Sequence, residues 1–570
     1  MFLSARYQIS TPANRRGMRV ALCSALSALL CTTHLCAEEQ ERTMFIREFR
    51  VLGAKHIPRI EIEEAVYPFL GPGRTVADIQ KAASALQKVY DGKGFSGTRV
   101  QMVAEQSGNG GVVLLEVIDG KVASLRVRGA RYFLPSEIKA KALSLAEGKV
   151  INFNDVQRDI AALNKHPDRS VQPKLVARED EPGLYDVELL VKDKSPFHGN
   201  VELNNRASAN TTDLRLSGSF SYANLWQFGH TIGASYQMSP QDTSEVKVFS
   251  AYYLWRFRDI DSFSLMLTGT KQDSNVSTLG SVASAGRGEI LGLRGMFTLP
   301  SQEGFYQSFS LGMDWKRFDQ AVTIGLTTDK TPITYYPVSA TWDGTWLHSR
   351  DVADAANPGK TKRVDTGFTT ASAGVTLGIR GTGSEASELD RNRFGADGNF
   401  IYFRGDISHT QQLGRDWELF LKLHGQAADQ PLVNSEQFGG GGMGTARGYK
   451  EAEALGDNAI FGTFELRTPS LLKTKRLVKK KNYQGVEEEV EESTGNEWRF
   501  YAFADAGTLT LHDTLPGQHS SFRLASYGIG SEVELFEHFH GIVELALPLT
   551  SIGTTQAHDT RVNFRLWADF

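Results

Sequence analysis

The stretch that decides the fold is RVNFRLWADF, residues 561–570. Every second side chain in it is apolar: Val562, Phe564, Leu566, Ala568 and Phe570. The positions between them hold Asn563, Arg565 and Asp569, with Trp567 as the one apolar exception. Because successive side chains of a strand point to opposite faces, this pattern predicts a strand with an apolar face and a charged face. Such a strand belongs either over a soluble core or in a transmembrane barrel with a wet lumen.

Similar alternating segments fill the chain from about residue 197 onward, with turn residues between them. We count about sixteen, without helical periodicity of useful length and without a second hydrophobic run that could form a partner sheet. We therefore expect a transmembrane β-barrel of about 16 antiparallel strands over residues 196–570, because a closed barrel satisfies every backbone group in lipid. A barrel of that size leaves a lumen wide enough for a channel unless something plugs it.

Residues 1–37 are typical of a signal peptide, with arginines before an apolar run and a small-residue cleavage site at Leu35-Cys36-Ala37. Either Met1 or Met18 is the start. All three cysteines lie in this segment, and an exported chain without thiols suits an oxidising compartment. The short N-terminal segment 38–44 that follows leaves no room for a long helix.

Two related modules precede the barrel. The segment Phe49-Arg50-Val51-Leu52-Gly53-Ala54 recurs as Leu125-Arg126-Val127-Arg128-Gly129-Ala130. In both copies a strand precedes two helical patterns and two further strands. We expect two α+β domains of β-α-α-β-β order, over residues 45–120 and 121–195. Thr75 and Asp78 form a capping-box-like start to the second helix of the first copy.

Counting strands back from the last one predicts which loops share an end of the barrel. The long polar segments 275–287, 381–398 and 430–456 all fall at one end, as in outer-membrane barrels. Short turns, 258–261 and 414–416 among them, fall at the other. Two long segments break the pattern by falling at the short-turn end: 350–363 and the charged tract 473–497. A charge run is usually a solvated surface, and docking to a periplasmic factor is the alternative for that tract.

Two motifs stand out in the second half of the barrel. Between the eleventh and twelfth strands the chain reads Phe438-Gly-Gly-Gly-Gly-Met-Gly-Thr-Ala-Arg-Gly-Tyr449, and the next strand pair holds Phe503-Ala-Asp-Ala-Gly507. Glycines let a backbone bend sharply and pass close to a wall. A guanidinium can bind a carboxylate through two parallel hydrogen bonds. The family resemblance that these motifs carry implies that Arg447 and Asp505 pair inside the lumen, and this chemistry supports such a pairing.

These motifs, the tandem modules and the strand number together resemble the two-partner secretion transporters, TpsB, of the ShlB/FhaC/HecB family in the POTRA–outer-membrane β-barrel superfamily. The resemblance covers nearly all of the mature chain, and Asn164-Lys-His-Pro-Asp-Arg169 is similar to a further segment of that family. It implies that a loop folds into the lumen and gates it. The implied loop residues are Gly444, Arg447, Gly448 and Tyr449, and the implied partners on the barrel wall are Phe503, Asp505 and Gly507.

This chain departs from the family pattern in two places. Ala446 stands where the family usually has valine. Many members also carry a plug helix before the first module, for which segment 38–44 leaves no room, so the inward loop alone would have to close the pore.

The resemblance implies an outer-membrane location with the N-terminal domains in the periplasm. The modules would capture an unfolded exoprotein, by pairing with it at a strand edge, and the barrel would pass it to the surface. The substrate-binding residues themselves stay unknown. We expect outer-membrane lipids and, for its own insertion, the barrel assembly machinery as further partners, and a monomer. No nucleic acid, cofactor, metal or enzymatic activity is expected.

Two rival interpretations stay open. An outer-membrane assembly factor of the same superfamily usually carries three or more POTRA modules, and this chain has room for two. A passive porin would explain the barrel but neither the tandem modules nor the loop motif. A barrel-embedded enzyme is a more remote alternative. The spacing of Gly439, Gly441 and Gly444 matches a dinucleotide fingerprint, but no β-α-β context surrounds it.

Overall fold

A computed structural model describes most of the chain from residue 43 onward. The described ranges are 43–103, 110–258, 260–274, 276–277, 284–285, 287–324, 327–353, 361–472, 475–481, 487–493 and 495–570. The predicted signal peptide, residues 1–37, lies outside these ranges, and so does most of segment 38–44, in which a plug helix would have to begin. Two compact units divide the chain. One consists of the residues up to Ala123 with Glu147–Asp155 and Ala177–Tyr185, and the other of Ser124–Ala146, Val156–Val176 and Asp186–Phe570.

The first module has the predicted β-α-α-β-β order, with one small addition. Its elements are β1 Met44–Ile46, β2 Glu48–Leu52, α1 Arg59–Val66, β3 Gly71–Arg74, α2 Val76–Gly92, β4 Arg99–Met102 and β5 Val112–Ile118. Strands β2, β5 and β4 form a sheet in that order, and β1 pairs separately with β3. The predicted capping box is present at the start of α2, where the backbone N–H of Thr75 donates to Asp78 at 3.1 Å. These hydrogen bonds lower the pKa of the Asp78 carboxyl.

The second module repeats this order. Its elements are β6 Lys121–Arg128, α3 Pro135–Lys141, α4 Phe153–Leu163, β7 Arg169–Ala177 and β8 Leu184–Asp193, with sheet order β6-β8-β7. Near the start of β7, the side chain of Asn164 accepts from the N–H of Val171 at 2.6 Å and donates to its carbonyl at 3.0 Å.

The remaining residues form the barrel and its loops. In chain order the elements are β9 Phe197–Asn204, β10 Arg215–Leu225, β11 His230–Met238, β12 Lys247–Arg256, β13 Phe263–Asp273, β14 Val276–Ser277, β15 Ser284–Ala285, β16 Arg287–Thr298, β17 Phe305–Ile324, β18 Thr327–Tyr335, β19 Val338–Ala353, β20 Thr361–Leu377, α5 Ala386–Asn392, β21 Ile401–Gln412, β22 Glu418–Ala428, β23 Phe438–Gly440, β24 Ala454–Gly456, β25 Asn458–Arg467, β26 Lys475–Lys481, β27 Glu487–Ser493, β28 Glu497–Thr510, β29 Ser521–Leu535, β30 Phe539–Pro548 and β31 Arg561–Asp569.

Sixteen of these strands close into an antiparallel barrel within the described residues, which confirms the predicted fold. Strand β18 lies outside that number. It pairs only with the last part of β17, from Lys316↔Tyr335 to Ile324↔Thr327, while β17 also pairs directly with β19. The pairs β14–β15, β23–β24 and β26–β27 are separate two-stranded sheets. The barrel closes between β31 and β9, from Arg565↔Asn204 to Asp569↔Asn200.

The alternation in residues 561–570 has the predicted consequence. Val562 is 51% exposed and Leu566 47%, on the face that an outer-membrane barrel turns to lipid. Asn563, on the other face, is only 2% exposed. Among the described residues, every helix is too short or too polar to cross a membrane.

One part of the wall faces the lumen with a run of hydroxyl groups. Ser219 pairs with Ser235, Ser235 with Ser250, and Ser250 with Thr270, so these side chains share one face across β10–β13. The hydroxyls of Ser250 and Thr270 lie 2.6 Å apart. We call these four residues the hydroxyl ladder.

Strand direction defines two ends of the barrel, the proximal end at which β9 begins and the distal end opposite. The segments 381–398 and 430–456, and the described parts of 275–287, lie at the distal end, as predicted. The 381–398 segment contains α5, which the sequence analysis missed. The described parts of segment 350–363 are strand, because β19 and β20 stay paired as far as Ala353↔Thr361. The described parts of the charged tract 473–497 include the two-stranded sheet β26–β27, in which Lys479 pairs with Glu489.

Candidate functional site

The loop between β22 and β25, residues 429–457, folds into the barrel; we call it L6. Arg447 near its tip is 4% exposed, and Tyr449 is fully buried. Both lie against strands of the wall rather than in solvent. A loop in this position occupies part of the lumen that sixteen strands enclose.

Arg447 is held by Asp505 on β28. The Nε of Arg447 donates to Oδ2 of Asp505 at 2.8 Å, and Nη2 donates to Oδ1 at 2.7 Å. The backbone N–H of Arg447 also donates to Oδ2, at 3.1 Å. Two parallel bonds from a planar guanidinium fix orientation as well as distance. The structure thus brings together the two residues whose pairing the sequence predicted.

Two further carboxylates surround the same guanidinium. Nη1 of Arg447 donates to Glu465 on β25 at 2.7 Å and to Glu544 on β30 at 3.2 Å. Glu465 also binds Arg467 at 2.7 Å, and Glu544 accepts from the hydroxyl of Tyr501 at 2.9 Å. Sequence reasoning missed both glutamates, because nothing local distinguishes them from other inward residues. Their alternation marks them only as facing the lumen.

The wall motif shapes this pocket around the guanidinium. The ring of Phe503 lies under Arg447, with the guanidinium carbon 3.6 Å from its centroid, in a cation–π contact. Asp505 is flanked in register by Thr463 and Ser526, and Thr463 Oγ1 donates to it at 3.0 Å. Neighbouring strands of the wall thus hold Asp505 in the position from which it binds Arg447.

The glycines of the motifs have different roles. A Cβ on Gly448 would lie 2.8 Å from the backbone nitrogen of Pro548 and 2.9 Å from Cβ of Ser526, so the loop tip approaches the wall too closely for a side chain. A Cβ on Gly507 would meet the ring of Phe461 at 2.1 Å. Around Gly444, by contrast, a Cβ would meet nothing within 4 Å. Of the predicted loop glycines, Gly448 is therefore the one that close approach requires.

Tyr449 anchors the tip beside Arg447. Its hydroxyl lies 2.7 Å from the hydroxyl of Thr550 and 2.9 Å from the Thr550 carbonyl, in the loop between β30 and β31. The hydroxyl also lies 3.1 Å from the carbonyl of Ala525. Its ring packs in a buried cluster with apolar residues of L6 and the wall, including Phe438, Phe461 and Leu509.

The returning part of L6 is bound at the distal end by two glutamates. Glu451 accepts from Arg206, which follows β9, at 2.7 Å. Glu453 accepts from the backbone N–H groups of Thr554 and Thr555 at 2.7 and 2.9 Å, and from both hydroxyls. Burial acts to raise the pKa of the Glu453 carboxyl, but these hydrogen bonds prevail and hold the pKa below its ordinary value.

A cavity remains beside L6, on the side of strands β16–β22. Its volume is about 720 Å³. Charged side chains of both signs line it, among them Arg294, Asp314, Asp343, Arg404 and Asp406. Among the described residues, no group of three or more His, Cys, Asp or Glu side chains is arranged to hold a metal ion. Ion pairs join some of the side chains that line the cavity, as between Arg294 and Asp314 at 3.5 Å.

The Asn164–Arg169 segment lies against the barrel. Arg169 donates to the carbonyl of Leu163 at 2.7 Å and lies over the ring of Phe133. Nε2 of His166 is 3.1 Å from the carbonyl of Ala223 at the end of β10, and burial lowers the pKa of this imidazole. This segment thus contacts the proximal end of the barrel.

Comparison with known families gives two matches to this chain. Residues 44–120 match the POTRA domain, ShlB-type. Residues 349–533 match the haemolysin secretion/activation protein ShlB/FhaC/HecB family, in a region that includes L6 and Asp505.

Known proteins with similar sequences are outer-membrane transporters. Outer membrane transporter CdiB of Escherichia coli O6:K15:H31 (strain 536 / UPEC) is 26% identical over 174 residues, which cover 30% of this chain and 29% of the relative. Outer membrane transporter CdiB of Dickeya dadantii (strain 3937) is 22% identical over 384 residues, which cover 66% and 64%. The matched parts thus span less than two thirds of either relative's length.

Solved structures establish the fold over nearly the whole chain. CdiB from Escherichia coli superposes with a TM-score of 0.58 at 18% identity, covering 95% of this chain and 93% of that one. BamA from Haemophilus ducreyi lacking POTRA domains 1–3 gives 0.53 at 13% identity, covering 92% and 100%. Residues 44–120 and 349–533 of this chain are thus similar to the ShlB/FhaC/HecB family and its POTRA domain, and the closed sixteen-strand barrel has the fold of these solved structures.

Proposed function

We propose that this protein is the outer-membrane transporter of a two-partner secretion system. It binds an unfolded exported polypeptide in the periplasm and passes it through the barrel to the cell surface when the tip of L6 leaves the wall. The observation that carries the proposal is the buried, bidentate pairing of Arg447 with Asp505. The family description, haemolysin secretion/activation, and the transporter names of the relatives support the same activity.

The Arg447 pocket has the properties of a two-state latch. Removing one partner of a buried ion pair costs about 3–5 kcal/mol, because the other charge is left unpaired. The loop is therefore stable against the wall until something supplies comparable free energy. A polypeptide entering the lumen could supply it by binding better to the state in which L6 has left. Folding of the cargo outside would then prevent its return.

Capture by the modules would use the edges of their sheets. Sheet order leaves β2 and β4 as edges in the first module and β6 and β7 in the second. An extended polypeptide can add to such an edge through backbone hydrogen bonds. Pro173 lies in β7 and has no N–H to donate, so it interrupts that edge. We therefore assign capture to the other three edges, and we propose one large exoprotein as the cargo.

A reversible cross-link tests whether L6 must move. A Cβ on Gly448 would be 2.9 Å from Cβ of Ser526, somewhat closer than the roughly 3.8 Å of a disulfide, so a small shift suffices. Gly448→Cys with Ser526→Cys would tie the tip to β29, and the native cysteines all lie in residues 1–37. We expect export to stop in the oxidised double variant and to recover with reductant to the level of the Gly448→Cys single variant, which carries the same bulk at the tip but has no second thiol to pair with. Undiminished export with the disulfide formed would refute the gating role.

A second comparison separates this function from its rivals. We would compare secreted and outer-membrane proteins in cells with and without this gene. A transporter predicts loss of one large extracellular protein and an unchanged set of membrane proteins. Broad loss of barrel proteins would instead identify an assembly factor, and loss of small-solute uptake alone would identify a porin.

A further inference from the structure

L6 has a second buried attachment, which involves none of the predicted motif residues. Glu436 lies on the part of the loop that leaves β22, and it is 1% exposed. Its Oε1 accepts from Nζ of Lys316 and from the hydroxyl of Tyr335, both at 2.6 Å. Its Oε2 accepts from the hydroxyl of Tyr402 at 2.7 Å.

These donors come from a different part of the wall. Lys316 is on β17, Tyr335 on β18 and Tyr402 on β21, whereas the acids around Arg447 are on β25, β28 and β30. The carbonyl of Glu436 is held as well, by Nη2 of Arg404 on β21 at 3.0 Å. L6 is therefore fixed to two separate groups of strands, to one through Arg447 and to the other through Glu436.

The surroundings strengthen this second attachment. Leu432 and Val433, just before Glu436, pack in a buried apolar cluster with Phe318 and Phe400. A carboxylate in such a place is costly unless donors surround it, and here three donors satisfy its two oxygens. Loss of the charge would leave the ammonium of Lys316, itself largely buried, without its closest partner.

A third contact joins the residues on either side of Glu436 to the last residue of L6. Asp457, where L6 ends at β25, is fully buried and accepts from the N–H of Leu432 and the side-chain amide of Gln437, both at 2.9 Å. The residues on either side of Glu436 are thus held to the end of L6 that joins β25, through contacts that involve neither Arg447 nor Asp505.

We propose that Glu436 is a positioning residue of the transporter, a second latch that keeps the first part of L6 across the lumen after Arg447 has been released. The inference rests on the proposed function. It implies two stages of opening: release at Arg447 frees the tip, and release at Glu436 clears the rest of the lumen.

Ion conductance of the purified full-length protein in planar lipid bilayers tests this without any cargo. The variants are Glu436→Gln, Tyr402→Phe, Arg447→Ala and the double variant of Glu436→Gln with Arg447→Ala. Glu289→Gln is the matched control, because it removes an exposed Lys–Glu pair, with Lys271 at 2.9 Å, from the outer face of the same barrel. Heat-modifiable migration on gels checks that every variant is a folded barrel.

We expect Glu436→Gln to raise the open fraction by about tenfold, since a hydrogen-bonded charge is lost. Tyr402→Phe should raise it less, and Glu289→Gln should match the parent. The double variant should reach a larger conductance level than Arg447→Ala alone. The proposal is overturned if Glu436→Gln behaves like Glu289→Gln, or if Arg447→Ala already gives the full level. Unchanged export by Arg447→Ala would count against the proposed function instead and would leave the conductance comparison standing.

Discussion

The two sides of the lumen differ in what their side chains can hold. On β28–β31, Tyr501, Asp505, Glu544 and Asn563 point inward, and three of them contact Arg447 or its backbone carbonyl. On β10–β13 the corresponding middle positions form the hydroxyl ladder, with short uncharged side chains. Strands on both sides nevertheless have the same alternation of apolar and polar residues.

The difference shows that period-two alternation alone does not describe the inside of a barrel. Alternation separates lipid-facing from lumen-facing positions on both sides. The kind of polar residue then decides whether a wall can fix a loop. Buried charges with several partners give one arrangement a large advantage over others, whereas scattered hydroxyls are satisfied by water in many arrangements.

The largest effect is expected when strands β28–β31 lose the charge of Asp505, which binds Arg447 of L6. Asp505→Asn should destabilise the docked tip by about 2–3 kcal/mol, because Arg447 loses its bidentate carboxylate partner while Glu465 and Glu544 still balance its charge. We expect higher bilayer conductance and reduced export, because the loop no longer returns to one position. Ser250→Ala on the ladder is the control and should change the docked state by less than about 1 kcal/mol. Equal effects of the two substitutions would show that the two walls do not differ in this way.

A smaller effect separates two glycines that the sequence treats alike. Gly448→Ala inserts a methyl group against the backbone of Pro548 and should loosen the tip by about 1–3 kcal/mol, as overpacking does. Gly444→Ala meets open space and should be neutral. The measurement is the rate at which maleimide modifies Thr445→Cys, which is buried at the tip, in each background. Faster labelling with Gly444→Ala than with Gly448→Ala would contradict the close approach.

The smallest effect is expected at Glu453, a partly exposed carboxylate of L6 that binds Thr554 and Thr555 in the loop between β30 and β31. Because the folded-state pKa of this carboxyl is lowered, its stabilisation is present above the ordinary value of about 4.3 and disappears as the pH falls through the folded-state pKa. At pH 7, Glu453→Gln should therefore lower the free energy of unfolding, measured by thermal denaturation, by about 1 kcal/mol after allowance for solvent screening. Parent and variant should converge in strong acid. A difference that persists there would show that packing rather than charge is responsible.

Much of the fold could be predicted because its determinants are local. Alternation in residues 561–570 and similar segments indicated the barrel, and the repeat at Phe49 and Leu125 indicated two modules. The contact between Arg447 and Asp505 could be predicted only because both lie in recognisable motifs. The order of strands also determines which two barrel strands L6 joins and that it lies at the distal end.

The remaining site residues depend on register between distant strands. Nothing near Glu465 or Glu544 in the sequence shows that both will face Arg447, since this requires the stagger of β25, β28 and β30. Glu436 meets Lys316, Tyr335 and Tyr402 only after β18 has folded back on β17. Helix α5 was missed because seven residues in a polar loop leave too little periodicity to recognise.

The hydroxyl ladder has a consequence for the speed of transport. A moving polypeptide would exchange hydrogen bonds with water for bonds of similar strength with serine and threonine. Such exchanges form no deep energy wells, so no residue type in the cargo would be held back. Friction along this wall would then depend little on cargo sequence, and the rate would be set where the chain meets L6.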